Sequence, residues 1–249
     1  MKKTFLEYDK PIITSMVQAE TPERIKELID KSIPMGAEAF GMQFEKLLHE
    51  YRNKDIYREL FSYTDKPVYV TNYRTGLNTE TSDEELAKGL IELSESGATL
   101  CDVMGDIFEK QPEELTMDKT AVKKQMELID TLHQNGVEVL MSSHVKRFIS
   151  AEEVLKIALE HQKRGADICK IVTGAENMEE QIENLRIVNL LKENLEIPFL
   201  YLSVGKCSIL RRIGCNLGCC MYLGVAEHDK FSTPDQPLIK SLLAIRENM

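Results

Sequence analysis

Apolar residues along this chain fall into two alternating patterns. Short strand-like runs occur at Ile12–Val17, Ala37–Phe44, Pro67–Thr71, Thr99–Met104, Val137–Ser143, Asp167–Val172, Phe199–Val204 and, less sharply, Gly218–Leu223. Between them lie segments with helical period, in which Ile25, Leu28, Ile29 and Ile33 share one face, as do Val122, Met126, Ile129 and Leu132. Several helix starts are marked. Thr21-Pro22 pairs an N-cap with a proline at the first helical position. Ser82-x-x-Glu85 and Ser150-x-x-Glu153 are capping boxes, where hydroxyl and carboxylate satisfy backbone N–H groups that a helix start leaves without partners. Eight such runs alternating with helices over 249 residues predict an α/β protein, a single (β/α)8 TIM barrel filling residues 1–249. An open doubly wound sheet is the alternative, since periodicity does not report closure. With 13 Gly and 8 Pro and no Ser/Gly/Pro-rich stretch, no linker divides the chain. A barrel concentrates chemistry at the C-terminal ends of its strands.

Composition narrows the function. Lys and Arg number 31 against 41 Asp and Glu, a formal charge of −10. Such an acidic chain lacks the basic excess that a phosphate backbone requires, so nucleic acid is not the expected partner. No apolar run approaches the roughly 18 residues of a membrane span. The start, Met1 to Asp9, has no apolar signal core, which predicts a cytoplasmic protein. Six cysteines (Cys101, Cys169, Cys207, Cys215, Cys219, Cys220) show no disulfide framework and read as reduced thiols. They form no C-x-x-C pair and have no histidine at ligand spacing, so no metal site is expected. No phosphate-binding glycine loop is present, and no cofactor is expected.

Two residues carry candidate chemistry. Lys170 lies in the mostly apolar run Gly165-Ala166-Asp167-Ile168-Cys169-Lys170-Ile171-Val172. Burial disfavours an ammonium and favours the free amine, a nucleophile for a carbonyl carbon. The alternatives are a lysine snorkelling from a strand end or a buried ion pair with Asp167. His144 ends the run Val139–Ser143, where a barrel places a general base. Imidazole titrates near neutrality, so it can take a proton from carbon and return it to a leaving oxygen. A loop histidine bonded to a neighbouring carbonyl is the plainer alternative. Arg74, and the pair Arg211 and Arg212, also follow predicted strands, and guanidinium there suits a carboxylate. Solvated surface arginine is the other reading. Ser232-Thr233-Pro234-Asp235-Gln236-Pro237 reads as a polar loop before the last helix.

Together these residues resemble type I 3-dehydroquinate dehydratase, the Schiff-base-forming lyase of the shikimate pathway of aromatic amino acid biosynthesis. The similarity is faint before residue 60 and clear from about 137 onward. Ser142-Ser143-His144 followed by Gly165-Ala166-Asp167-Ile168-Cys169-Lys170 looks like the family's Ser-x-His…Gly-Ala-Asp-Ile-x-Lys strands. The resemblance implies that Lys170 forms the imine and His144 is the catalytic histidine. The stretch Arg211 to Cys219 resembles the family's Ser-Arg-x-x-Gly-x-x-Phe-Gly-Ser, which puts a carboxylate-binding arginine on Arg211 or, counted from Lys206, on Arg212. Ser232 and Gln236 match the lid Ser-Ala-Pro-Gly-Gln, whose ends reach the substrate. Arg74 resembles the arginine of a Thr-x-Arg motif, with one extra residue. The family's Glu-x-Arg-x-Asp is replaced by Gly41-Met42-Gln43-Phe44-Glu45, leaving Gln43 as the substrate-facing candidate. A family glutamate that pairs with the histidine is missing, with Glu80 as the substitute candidate. The resemblance thus implies a cofactor-independent lyase for a small anionic ketone, 3-dehydroquinate, and a homodimer. The altered recognition residues leave two other readings open. One is a diverged Schiff-base lyase or class I aldolase on another oxo acid. The other is a non-catalytic barrel that binds a small carboxylate.

Overall fold

The computed structural model describes residues 2–249. Its eight strands are β1 (Ile12–Val17), β2 (Ala39–Gln43), β3 (Val68–Thr71), β4 (Leu100–Met104), β5 (Glu138–His144), β6 (Ile168–Gly174), β7 (Phe199–Val204) and β8 (Met221–Gly224). All pair in parallel, in the order β7-β6-β5-β4-β3-β2-β1-β8. Across the remaining seam the Cys220 N–H donates to the carbonyl of Phe199 at 2.9 Å, drawing the ring together. The helices α1 (Pro22–Ser32), α2 (Lys54–Ser62), α3 (Asp83–Ser94), α4 (Lys119–Gln134), α5 (Ala151–Lys163), α6 (Met178–Asn194), α7 (Leu210–Leu217) and α8 (Ile239–Asn248) follow the strands in turn. The expected (β/α)8 barrel is the observed fold. Among the described residues, no helix is long and apolar enough to cross a membrane.

Local signals act where they stand. Thr21 accepts from the Arg24 N–H, and Ser82 and Ser150 form reciprocal capping boxes with Glu85 and Glu153. Each such cap contributes about 1 kcal/mol. Two helical faces differ from expectation. Ile33 is 44% exposed because α1 stops at Ser32 and a 3₁₀ turn begins; Ser32 takes the inward position. In α4 the buried set is Ala121, Gln125, Leu128, Ile129 and Leu132, while Met126 faces out. The inward Gln125 is polar, so an apolar count alone rotates the face. The last strand begins at Met221, three residues later than Gly218. Gly218 instead terminates α7, with φ of 132°, a backbone conformation that suits glycine.

The interior is packed in layers. At the N-terminal end the 3₁₀ turn Phe5–Glu7 closes the barrel, its Phe5 and Leu6 N–H groups donating to the Glu138 carboxylate at 2.8 and 3.1 Å. The Phe5 ring meets Tyr69 edge-on, centroids 6.5 Å apart. Above Tyr69 the lining turns polar.

Candidate active site

That polar layer is centred on Lys170, which is 5% exposed. Parallel register places Lys170 of β6 beside Ser142 of β5, and Ser142 beside Met104 of β4, two residues beyond Asp102. Neighbours in register point the same way, so these side chains converge inside the ring. The Lys170 amine reaches the Asp102 carboxylate at 3.1 Å, the Tyr73 hydroxyl at 2.7 Å and the Tyr69 hydroxyl at 3.0 Å. The expected ion pair with Asp167 does not form. Asp167 lies at the other end of the barrel, accepting from the Val139 N–H and meeting His133. Asp102 is fully buried and accepts from Ser142, Tyr69 and Tyr73 as well as Lys170. Burial alone opposes its ionisation. The charges of Lys170 and His144 and the hydroxyls of Ser142 and Tyr69 outweigh this and hold it below the usual carboxylate range. Burial, reinforced by Asp102, pushes both phenols well above their ordinary range, so they remain donors.

His144 ends β5 at the mouth, its ring edge-on to Tyr73 with centroids 5.1 Å apart. Its Nδ1 meets Glu114 Oε2 at 2.9 Å, and the same oxygen accepts the His144 backbone N–H at 2.7 Å. Burial pulls the Glu114 pKa up, but the hydrogen bond and charge of His144 win and lower it. Glu114 is therefore the carboxylate partner of the histidine. Glu80 is not: it is exposed on the loop after β3, beside His49 and Arg52. When Nδ1 donates to Glu114, Nε2 is the acceptor nitrogen of the ring.

The β4–α4 loop that presents Glu114 is held from beneath. Arg164, nearly fully buried, donates to the carbonyls of Gly105 and Thr116, and Gln125 donates to those of Gly105 and Ile107. Ser143 donates to the Glu114 carbonyl at 2.7 Å, which helps fix a residue at φ of +46°. His161 lies in this support, 3.0 Å from Ser143 Oγ. Burial and then Arg164 push its pKa down to about 3, so it stays neutral and structural.

The arginines separate. Arg211, 6% exposed, donates from Nε to the Ser203 carbonyl at 2.9 Å, and its two terminal nitrogens make no hydrogen bond among the described residues. Asp235 of the 232–237 loop is close enough to act on its charge. Arg212, the next residue along α7, is exposed on the outside. Of the two arginines left open by the sequence, Arg211 is the inward one. Arg74 is paired with two acids. Its guanidinium is committed to Asp83 at 2.6 and 2.7 Å and to Asp106 at 2.6 Å, clamping the loops after β3 and β4. Tyr73, one residue earlier, takes the inward position. The reason is Glu45, buried beside β2, which accepts from Thr71 Oγ1 at 2.8 Å and from the Tyr73 N–H at 3.5 Å and so sets the turn leaving β3.

Gln236 is buried with its amide oxygen unpartnered, as is that of Gln18 at the end of β1. Gln18 donates to Thr233 at 3.5 Å, tying the 232–237 loop to the rim. Ser232 turns back on its own loop, exchanging hydrogen bonds with the Asp229 N–H and carbonyl. Gln43 ends β2, half-buried, in register with Thr71.

Gly41 has a packing reason. A Cβ there would meet Met16 Sδ, with Met16 Cε at 2.8 Å and the Tyr69 ring at 3.0 Å. Met16 fills the space an acidic side chain would need. Gly41→Glu is expected to destabilise the protein by about 1–3 kcal/mol through overpacking. Adding Met16→Ala should recover most of that loss. An unchanged urea midpoint for the single variant would contradict this packing.

The fold and its lysine-centred interior define a parallel barrel of enzyme type, with a buried lysine below the rim, a carboxylate-held histidine at the mouth, and a buried arginine facing a loop. The chain belongs to the type I 3-dehydroquinase family, whose sequence model matches residues 14–249. It is 34% identical over 101 residues to the 3-dehydroquinate dehydratase of Alkaliphilus oremlandii, and 33% identical over 116 residues to that of Syntrophotalea carbinolica. These alignments cover 40% and 45% of this chain, and 38% and 45% of the relatives, so the chain matches less than half the length of each. The fold is similar to that of a type I 3-dehydroquinate dehydratase from Clostridium difficile with covalently modified comenic acid. That match has a TM-score of 0.80 and 20% identity, over 97% of this chain and 93% of the other. It is also similar to the Geobacillus kaustophilus 3-dehydroquinate dehydratase, with a TM-score of 0.81 and 15% identity, over 96% and 91%.

Proposed function

We propose that the protein is a lysine-imine lyase that dehydrates 3-dehydroquinate, a cyclic β-hydroxy ketone carboxylate, to 3-dehydroshikimate. The observation that carries this reading is the Lys170 amine inside the barrel, below a His144–Glu114 pair at the mouth. Lys170 condenses with the ketone, and the protonated imine withdraws electrons from the adjacent C–H. His144 Nε2 removes that proton and, as imidazolium, returns one to the hydroxyl leaving from the β carbon. Hydrolysis of the imine frees the enone. Arg211 holds the carboxylate, with Gln236 over it. The overall charge of −10 repels an anion, so recognition rests on this buried cation.

The direct experiment combines enone absorbance with borohydride reduction in the presence of 3-dehydroquinate. An absorbance rise and a substrate-derived mass on Lys170 are expected; absence of both with active-folded protein would reject the assignment. Arg211→Ala is expected to raise KM about 10- to 100-fold, the loss of a charge-assisted hydrogen bond, whereas Arg212→Ala should leave KM near wild type. Equal effects of the two would overturn the placement of the carboxylate. A second reading, the same imine chemistry on another oxo acid, rests on Gly41 and Gln43 standing where the resemblance puts the family's ring-hydroxyl partners. A site that lacks those partners no longer selects strongly for the hydroxyls.

A further inference from the structure

We propose that Tyr73 is a further catalytic residue, the proton carrier for making and breaking the carbon–nitrogen bond at Lys170. This rests on the imine reading above. Tyr73 follows β3 and reaches Lys170 Nζ at 2.7 Å, the shortest contact that nitrogen makes with its three partners. Its hydroxyl also donates to Asp102, and its ring stands against His144, so it lies between the amine and the mouth from which a ketone arrives. Tyr69 shares both partners but is wholly buried in the layer below. Tyr73 has the side of the amine that a substrate carbonyl can approach.

Imine formation from an ammonium defines what such a group must do. Three hydrogens start on Lys170 nitrogen; the protonated imine keeps one, and two leave with the ketone oxygen as water. First the nitrogen lone pair, exposed as one proton passes to the Tyr73 oxygen, forms the C–N bond, and the carbonyl π pair moves to oxygen. Tyr73 gives its own hydrogen to that oxygen, yielding a carbinolamine. The second transfer repeats the exchange as the C–O bond breaks, water departs and the nitrogen pair closes the C=N bond. Tyr73 ends as it began, and the total charge is unchanged. Asp102 remains a carboxylate throughout, facing first the ammonium and then the iminium. A phenol kept protonated by its burial and by Asp102 is suited to hand on a proton without losing it to solvent.

The test measures the rate at which Lys170 is labelled on rapid mixing and borohydride quench, using glyoxylate and 3-dehydroquinate in parallel. Tyr73→Phe is expected to slow labelling by both on the order of 10²-fold, with the same final extent. Site-specific 3-fluorotyrosine at position 73 keeps both the shape and the hydroxyl, so it should restore most of the labelling rate that Tyr73→Phe loses. Wild-type labelling rates in Tyr73→Phe, or labelling with fluorotyrosine as slow as with Phe, overturn the proposal. If glyoxylate labelling slows as expected but wild type never dehydrates 3-dehydroquinate, the carrier role stands and the substrate assignment fails. If neither probe labels Lys170 in wild type, both fail.

Discussion

Lys170→Ala is expected to abolish both the borohydride-trapped adduct with 3-dehydroquinate and all turnover above the uncatalysed rate. On the imine reading, Lys170 itself supplies the electron sink next to the C–H to be broken. The variant should still fold, because Asp102 keeps the hydroxyls of Ser142, Tyr69 and Tyr73 after the amine is gone. Removing one member of a buried pair ordinarily costs about 3–5 kcal/mol when the other charge is stranded; three remaining donors reduce that penalty here. Circular dichroism and a thermal melt separate lost chemistry from lost structure. Turnover that persists in a folded Lys170→Ala protein would remove the imine from the mechanism altogether.

His144→Ala carries the second large effect, a fall in kcat of about 10² to 10⁴-fold with imine formation retained. Because the carbon acid can no longer be deprotonated efficiently, the trapped species should carry the mass of the undehydrated substrate rather than of the enone. Mass spectrometry of the quenched enzyme reads this directly. A variant that dehydrates at the wild-type rate would show that the base is elsewhere.

Legibility from sequence followed how local each signal is. Strand runs and capping boxes act within a few residues, and all eight strands and the three marked helix starts are found close to where they were expected. Lys170 and His144 stood out because each interrupts or ends an apolar run. Asp102 interrupts the run Thr99–Met104 in the same way, and that signal, applied to acids as well as bases, would have found it. Glu114 could not be found so, because it sits in an irregular loop whose path depends on Arg164 and Gln125 from two helices. Arg74 and Tyr73 show the limit of motif spacing. One inserted residue exchanges which of two neighbours points inward, and the outcome is set by Glu45, more than 25 positions earlier in the chain.

The turn at Phe5–Glu7 has a consequence for traffic. With Phe5 and Leu6 fastened to Glu138 and the Phe5 ring against Tyr69, the N-terminal end is covered, and on the imine reading Lys170 is reached from the rim. Whatever reacts at Lys170 then enters and leaves by the rim, and the released water shares that exit with the product. The 232–237 loop stands at that rim, with Gln236 buried and Thr233 accepting from Gln18. With one end covered, the order of arrivals and departures becomes part of the catalytic cycle.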